Sequence, residues 1–232
     1  MIIPAYNESQ RILSTLDRIS EYFKNYFSNF EIIVVNDGSN DNTLEILLQA
    51  KNSIKTLQVT GYDVNKGKGF AIKFGVNISK GDFILISDAD LSTPIEEVEK
   101  LMFYCESGYD IAIGSRALKE SEILIRQPWW REFMGKSFNK IVRTIANIDF
   151  SDTQCGFKLF RGEIGRSLFR KSKIDRFAYD IEILYLAKKE GYKIKEVPIK
   201  WLNSPYSKVK PFKDSFQCLK DLIKIKFSRN SA

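Results

Sequence analysis

Histidine does not occur once in the 232 residues, and its absence removes whole classes of chemistry. Without imidazole there is no Ser-His-Asp triad, no Cys-His nucleophile pair and no zinc site built on histidine. Cysteine is scarce: Cys105, Cys155 and Cys218 stand far apart and form no CxxC pair, so they read as buried reduced thiols of a cytosolic protein. Long apolar runs are also missing, none approaching the ~18 residues expected of a membrane span. Pro4, Asn7 and Glu8 interrupt the first apolar residues, which therefore do not read as a signal peptide. Polar chemistry falls to carboxylates, lysine, arginine, tyrosine and backbone groups.

What is present suits a folded α/β domain. Hydrophobic residues make up 44% and aromatics 13%, enough for a substantial core. Thirty-six basic residues against 29 acids give a net charge of +7. Much of that excess sits after Pro205, where seven basic residues (Lys208, Lys210, Lys213, Lys220, Lys224, Lys226, Arg229) face only Asp214 and Asp221. Such a tail suits anionic lipid, a phosphorylated substrate or nucleic acid.

Periodicity orders the elements. Met1–Pro4 reads as the end of a strand. Ile12, Leu16, Ile19 and Phe23 recur at helical spacing within 9–27. The β-branched run of 31–35 is a strand buried on both faces, and 83–86 is another. Residues 43–50 form a helix, 56–59 a short strand, and Gly67 and Gly69 open a helix through Ile78. Pro94 starts a helix with Glu96 and Glu97 in its first turn, favourable for the helix dipole. Strand 109–113 follows, then one helix within 117–150 carrying Trp130, Met134, Phe138, Ile141 and Ile145 on a single face. A loop and short strand occupy 152–160, a helix 180–189, and a strand 195–199 that Pro198 places at an edge or bulge. Alternation of this kind predicts a single α/β domain, a mostly parallel sheet flanked by helices, with ligands at the carboxyl ends of its strands. The polar clusters at Tyr6–Glu8, Asp37–Ser39, Asp88–Asp90 and Gly114–Arg116 all fall at such ends.

Asp88-Ala89-Asp90 follows an apolar strand. A turn there brings two hard carboxylate oxygens toward one Mg²⁺ or Mn²⁺ ion, which commonly completes its shell with phosphate and water. A lone DxD is equally the signature of a solvated turn. The glycines around Lys66 and Lys68 expose backbone N–H groups suited to a diphosphate, although the GxxxxGK[ST] spacing of a Walker A loop is absent.

The clusters together are more specific. Pro4-Ala5-Tyr6-Asn7-Glu8, Val35-Asn36-Asp37-Gly38-Ser39, Asn65-Lys66-Gly67-Lys68-Gly69, Asp88-Ala89-Asp90 and Gly114-Ser115-Arg116 occur in an order that resembles the family 2 glycosyltransferases of the GT-A (Rossmann-like) fold, over nearly the whole chain. Asp152-Thr-Gln-Cys-Gly-Phe-Lys158, Arg176-Phe-Ala-Tyr-Asp-Ile-Glu182 and Glu196-Val-Pro-Ile-Lys-Trp201 look like the polyprenyl- or dolichyl-phosphate sugar synthases, most of all the dolichyl-phosphate β-glucosyltransferases. The resemblance implies a GT-A domain over 1–204, with a nucleotide-sugar-binding half (1–116) and an acceptor half (117–204), followed by a basic amphipathic tail or helix over 205–232. It implies that Pro4, Ala5, Tyr6, Glu8, Asp37, Lys68, Asp88, Ala89 and Asp90 line the nucleotide site, with Asp37 accepting from the base. Asp88 and Asp90 would hold the metal. Arg116, Arg131 and Lys208 would grip the acceptor phosphate, and Asp152 or Asp180 would be the carboxylate if one assists. Some relatives carry Gln two residues after the second Asp; here Ser92 stands there, too short to be an equivalent ligand.

The implied reaction is inverting transfer of glucose from UDP-glucose to a dolichyl or polyprenyl phosphate. GDP-mannose-dependent polyprenyl-phosphate mannosyl transfer and other family 2 reactions of surface glycans are the alternatives. No QxxRW is present, against a processive polymer synthase. A nucleic-acid-binding module built on the basic tail leaves the motifs of the first 120 residues unexplained, so no nucleic acid partner is expected. Trp129 and Trp130 within 127–145, and Phe212, Phe216, Leu219 and Ile223 among lysines, suit a peripheral contact with the cytoplasmic face of a membrane.

Overall fold

In the computed structural model, residues 1–203 and 216–222 are described, apart from the side chains of Arg131 and Lys136. The expected tail over 205–232 therefore lies largely outside the described residues, as does Lys208. Residues 216–222 are helical, and Cys218 and Leu222 are buried against the core.

The chain runs β1 (Ile2–Ala5), α1 (Ile12–Tyr26), β2 (Ile32–Asp37), α2 (Thr43–Ser53), β3 (Leu57–Tyr62), α3 (Lys68–Ile78) and β4 (Phe83–Ile86). A 3₁₀ turn at Ile95–Glu97 leads into α4 (Val98–Glu106), so Pro94 opens a tight turn before the α-helix rather than the α-helix itself. There follow β5 (Ile111–Ser115), β6 (Glu122–Ile125), α5 (Trp129–Ala146), β7 (Lys158–Arg161), α6 (Gly162–Lys171), α7 (Tyr179–Lys189), β8 (Ile194–Pro198) and β9 (Lys200–Leu202).

Seven strands form one sheet in the order β3-β2-β1-β4-β7-β5-β8, and β6 pairs with β9 in a separate two-stranded ribbon. All strands of the large sheet run the same way except β7, which is antiparallel to both β4 and β5. β8 is an edge strand, and Pro198, without an N–H, ends it. Alternation along β2 shows why both faces are dry. Ile32 and Val34 belong to the core layer that holds α1, α2 and α4, whereas Ile33 and Val35 belong to the layer that holds α3, α5, α6 and α7. The result is the three-layer arrangement expected of a mostly parallel sheet.

α5 departs from the expected single face. Val142 and Ala146 are buried and Phe138 and Ile145 pack against the core, but Trp130 and Ile141 are exposed. The C-terminal half of the helix packs into the core layer beside α7. All three cysteines are buried and none forms a disulfide, as expected.

The strand order places the site. From β1 the chain adds β2 and β3 on one side and β4 on the other, so the order reverses at β1. The loops that follow β1 and β4 therefore lie side by side at the carboxyl ends, the place where a sheet of this kind holds a ligand crevice.

Candidate active site

On one wall of the crevice the loops after β1 and β2 are tied together. Asn7, at φ 54°, donates its N–H to Ser39 Oγ at 3.0 Å, and Asn40 N–H donates to Asn7 Oδ1 at 2.8 Å. Glu8 N–H donates to Thr43 Oγ1 at 2.7 Å, and the Glu8 carboxylate pairs with Arg11. Ala5 is buried, while Pro4, Tyr6 and Glu8 remain partly accessible along this wall.

Asp37 ends β2 and is buried, with its carboxylate turned onto the following glycine loop. It accepts from Asn65 Nδ2 and Lys66 N–H at 2.8 Å, and from Gly67 N–H at 3.0 Å. Gly67 takes φ 108°, and a side chain on Gly69 would strike the Ile174 carbonyl and the Tyr179 side chain. The loop thus delivers the N-terminus of α3, with its positive dipole end, into the crevice.

At the end of β4 the chain turns through Leu91, whose φ of 45° is unusual for a residue with a side chain. Thr15 Oγ1 donates to the Ala89 carbonyl at 2.7 Å, which pins the buried Ala89 and leaves both aspartates to the crevice. Asp88 Oδ1 meets Lys68 Nζ at 2.5 Å, while Asp90 Oδ1 accepts from Ser92 N–H at 3.0 Å and its Oδ2 lies 4.0 Å from Arg11. Burial alone would raise the Asp88 carboxyl, but Lys68 foremost, then Lys158 and Arg116, hold it below its ordinary value. Asp90 goes the other way, pushed up by burial and by the Asp88 charge beside it. Two carboxylates that repel each other at the mouth of a crevice form a site for a cation. No group of three or more His, Cys, Asp or Glu side chains gathers among the described residues, so further ligands for a hard dication would be oxygens of substrate or water. Within those terms the pair fits Mg²⁺ or Mn²⁺.

Behind the aspartates lies a chain of charge. Lys158 is fully buried on β7; its ammonium donates to Asp180 Oδ1 at 2.5 Å and to the Cys155 carbonyl. Burial opposes the Lys68 charge, but Asp88 and Asp180 overcome it and raise the lysine above its ordinary value. Gly156 completes the floor, since a Cβ there would overlap the Asp88 carboxylate.

The other wall is the corner after β5. Asp152 binds Arg116 in a fork, accepting from Nε at 2.6 Å, from Nη2 at 2.8 Å and from the backbone N–H at 3.0 Å. Burial would raise Asp152, but the guanidinium overcomes that and keeps it ionised. Arg116 also stacks over Trp201, 5.5 Å from the ring centroid. Glu196 on β8 braces the corner by accepting from Ser151 and Asp152 N–H at 2.9 and 2.8 Å.

Pro4 and Ala5 end β1 with Tyr6 and Glu8 just after it, Asp88, Ala89 and Asp90 follow β4, Lys68 at the start of α3 reaches Asp88, and Asp37 at the end of β2 holds the glycine loop. Arg116 and Asp152 lie on the neighbouring corner, within electrostatic reach of Asp88 in the case of Arg116. Arg131 lies in the first turn of α5, but its side chain is outside the described residues, as is Lys208. Arg11 belongs to no motif of the sequence, and Asp180, a candidate assisting carboxylate, is the partner of Lys158. For Gly156 and Lys158 the available signal was their place within the 152–158 motif.

The glycosyl transferase family 2 model matches residues 1–169. The dolichyl-phosphate beta-glucosyltransferase of Dictyostelium discoideum is 36% identical across 98% of this chain and 73% of its own length. That of Saccharomyces cerevisiae is 34% identical across 98% and 74%. Among solved structures, mannosyl-3-phosphoglycerate synthase of Rubrobacter xylanophilus superposes with a TM-score of 0.74 at 17% identity, covering 99% of this chain and 74% of that one. Glucosyl-3-phosphoglycerate synthase of Mycobacterium tuberculosis, in complex with Mn²⁺, UDP-glucose and glycerol 3-phosphate, gives 0.73 at 18% identity, covering 97% and 79%. These two share the fold. The family match and the curated relatives carry more: the chain belongs to glycosyl transferase family 2 and is a glycosyltransferase.

Proposed function

We propose that the protein transfers glucose from UDP-glucose to dolichyl or polyprenyl phosphate, with inversion, at the cytoplasmic face of a membrane. The observation that carries the reading is the convergence of Asp88, Asp90, Lys68 and the α3 N-terminus on one crevice, beside an Arg116–Asp152 corner. One half receives a sugar diphosphate and the other a second phosphate. The names of the curated relatives support glucose and dolichyl phosphate, and the UDP-glucose complex of a fold relative supports the donor.

In this reading Pro4, Ala5, Tyr6 and Glu8 line the nucleotide, and Asp37 meets the base while holding the glycine loop. Asp88 and Asp90 would hold Mg²⁺ or Mn²⁺, which would supply charge neutralisation for the departing diphosphate. Lys68 and the α3 N–H groups add positive potential on the same side. Arg116, Arg131 and Lys208 hold the acceptor phosphate, which carries about −1.5 to −2 charge near neutral pH and needs no strong base. Its oxygen bonds to the anomeric carbon as the bond from that carbon to the UDP oxygen breaks on the opposite face, so an α-linked donor yields a β-linked product. Asp152, engaged by Arg116, orients that guanidinium rather than taking a proton. The protein's part is positioning and charge stabilisation.

A donor screen tests this. UDP- and GDP-sugars are offered with Mg²⁺ or Mn²⁺ and a short polyprenyl phosphate, and glycolipid is quantified. Product from UDP-glucose is expected; product from GDP-mannose in its place would assign the alternative mannosyl reaction.

A further inference from the structure

The residues placed to hold a dication are already answered by a cation of the protein itself. Lys68 Nζ sits 2.5 Å from Asp88 Oδ1. Asp90 spends Oδ1 on the Ser92 N–H and has Arg11 near Oδ2. No third acidic, histidine or cysteine ligand joins the two aspartates among the described residues. A free metal ion arriving alone would have to displace or crowd Lys68 and would gain only two carboxylates. The lysine is not confined to Asp88, because Asp180 lies close enough to act on its charge.

We infer that Lys68 is a resident counter-ion that competes with the metal for Asp88, so the metal binds tightly only together with the donor's diphosphate. The inference rests on the metal reading of Asp88 and Asp90. When a nucleoside diphosphate enters, its negative oxygens supply a new partner for Lys68 and further ligands for the dication. Asp180 offers the ammonium a second anchor as it leaves Asp88. Lys68 is thus a positioning residue: its ammonium holds the Asp88 carboxylate in place and couples metal binding to donor binding. Such coupling is reciprocal, since whatever UDP does for Mn²⁺ affinity Mn²⁺ must do for UDP affinity.

The test is Mn²⁺ titration of the full chain, read by the loss of the free-ion electron paramagnetic resonance signal, without and with saturating UDP. The proteins are wild type, Lys68→Met, Lys68→Gln and Lys68→Arg, each checked for folding by thermal melting. Wild type should bind Mn²⁺ weakly alone and much more tightly with UDP. Lys68→Met should tighten binding of Mn²⁺ alone by about tenfold or more, the scale on which a neighbouring opposite charge alters a carboxylate's affinity for a proton. Its enhancement by UDP should shrink. Lys68→Arg, which keeps the charge, should stay close to wild type, and Lys68→Gln serves if the methionine variant does not fold. Unchanged or weaker binding of Mn²⁺ alone in the neutral variants, beside wild type that binds Mn²⁺ with UDP, overturns the counter-ion role and leaves the metal reading standing. Failure of wild type to bind Mn²⁺ even with UDP overturns both.

Discussion

A methyl group at position 156 would overlap the carboxylate of Asp88. Gly156→Ala must therefore push that side chain away from Lys68 or shift the 152–158 loop. Small displacements of a reacting group are expensive, on the order of a hundredfold for about 1 Å. We expect Gly156→Ala to lower kcat/KM by about tenfold to a hundredfold with little change in melting temperature, measured on the same preparation. Asp90 separates function from stability in the opposite direction. Burial and the adjacent Asp88 charge raise its carboxyl above the unfolded value. A carboxyl raised in the folded state favours folding while protonated, and that contribution is lost as pH rises through the folded value. At pH 7 the ionised Asp90 therefore opposes folding. Asp90→Asn keeps the oxygen that accepts from Ser92 and should melt higher than wild type at pH 7, the difference closing as pH falls. Its transfer rate should fall about a hundredfold or more. A folded Asp90→Asn enzyme with normal turnover would reject the metal role.

Between α6 and α7 the chain has no regular structure, yet it supports the glycine loop. Phe70 N–H donates to the Asp175 carbonyl at 2.9 Å, and Gly69 packs under Ile174. That segment is held by one buried carboxylate: Glu182 on α7 accepts from Ser172 Oγ at 2.6 Å and from Lys173 and Ile174 N–H at 3.0 Å. Glu182→Gln replaces an acceptor oxygen with a donor facing donors and should cost about 1–3 kcal/mol in urea unfolding, with weaker UDP binding in titration calorimetry. Elements like this mark where the sequence was readable. The buried strands and α1 announced themselves by β-branched runs and a 3.6-residue stripe, and the aspartate pair by its place after such a strand. α6 did not, because its ten residues carry two glycines and only Ile164, Leu168 and Phe169 as apolar side chains. β6 leaves no mark either, since an exposed four-residue strand has no buried face to impose alternation. The reversal of β7 was invisible because period-2 patterning carries no direction. Within the site, the Lys158–Asp180 pair and the Arg116–Asp152 fork join residues far apart in sequence, and only the sheet order brings them together.

At the scale of the molecule, the Arg116–Asp152 corner is attached to an exposed apolar surface among the described residues. Asn139 of α5 donates to the Ser151 carbonyl at 2.6 Å and accepts from Thr153 Oγ1 at 2.8 Å, so α5 is fastened to the loop that carries Asp152. The same helix leaves Trp129 79% and Phe133 68% exposed in its first turns. β6, paired with the strand that carries Trp201, leaves Leu124 57% and Ile125 50% exposed, beside an exposed Arg126. Apolar side chains of this size beside basic ones suit the boundary between headgroups and acyl chains, and no described helix is long and apolar enough to cross the bilayer. An enzyme that lies on the membrane through this corner would meet a lipid-linked phosphate where Arg116 waits, without drawing the lipid tail into the crevice. Trp129→Ser with Phe133→Ser should then weaken cosedimentation with anionic vesicles by about tenfold, from the apolar area withdrawn. Glucosyl transfer to a long-chain polyprenyl phosphate in those vesicles should fall with it, while transfer to a short, soluble analogue stays near wild type. Equal cosedimentation by the double variant would move the membrane contact to another surface. Equal loss on the soluble analogue would mean that the two aromatics shape the crevice instead.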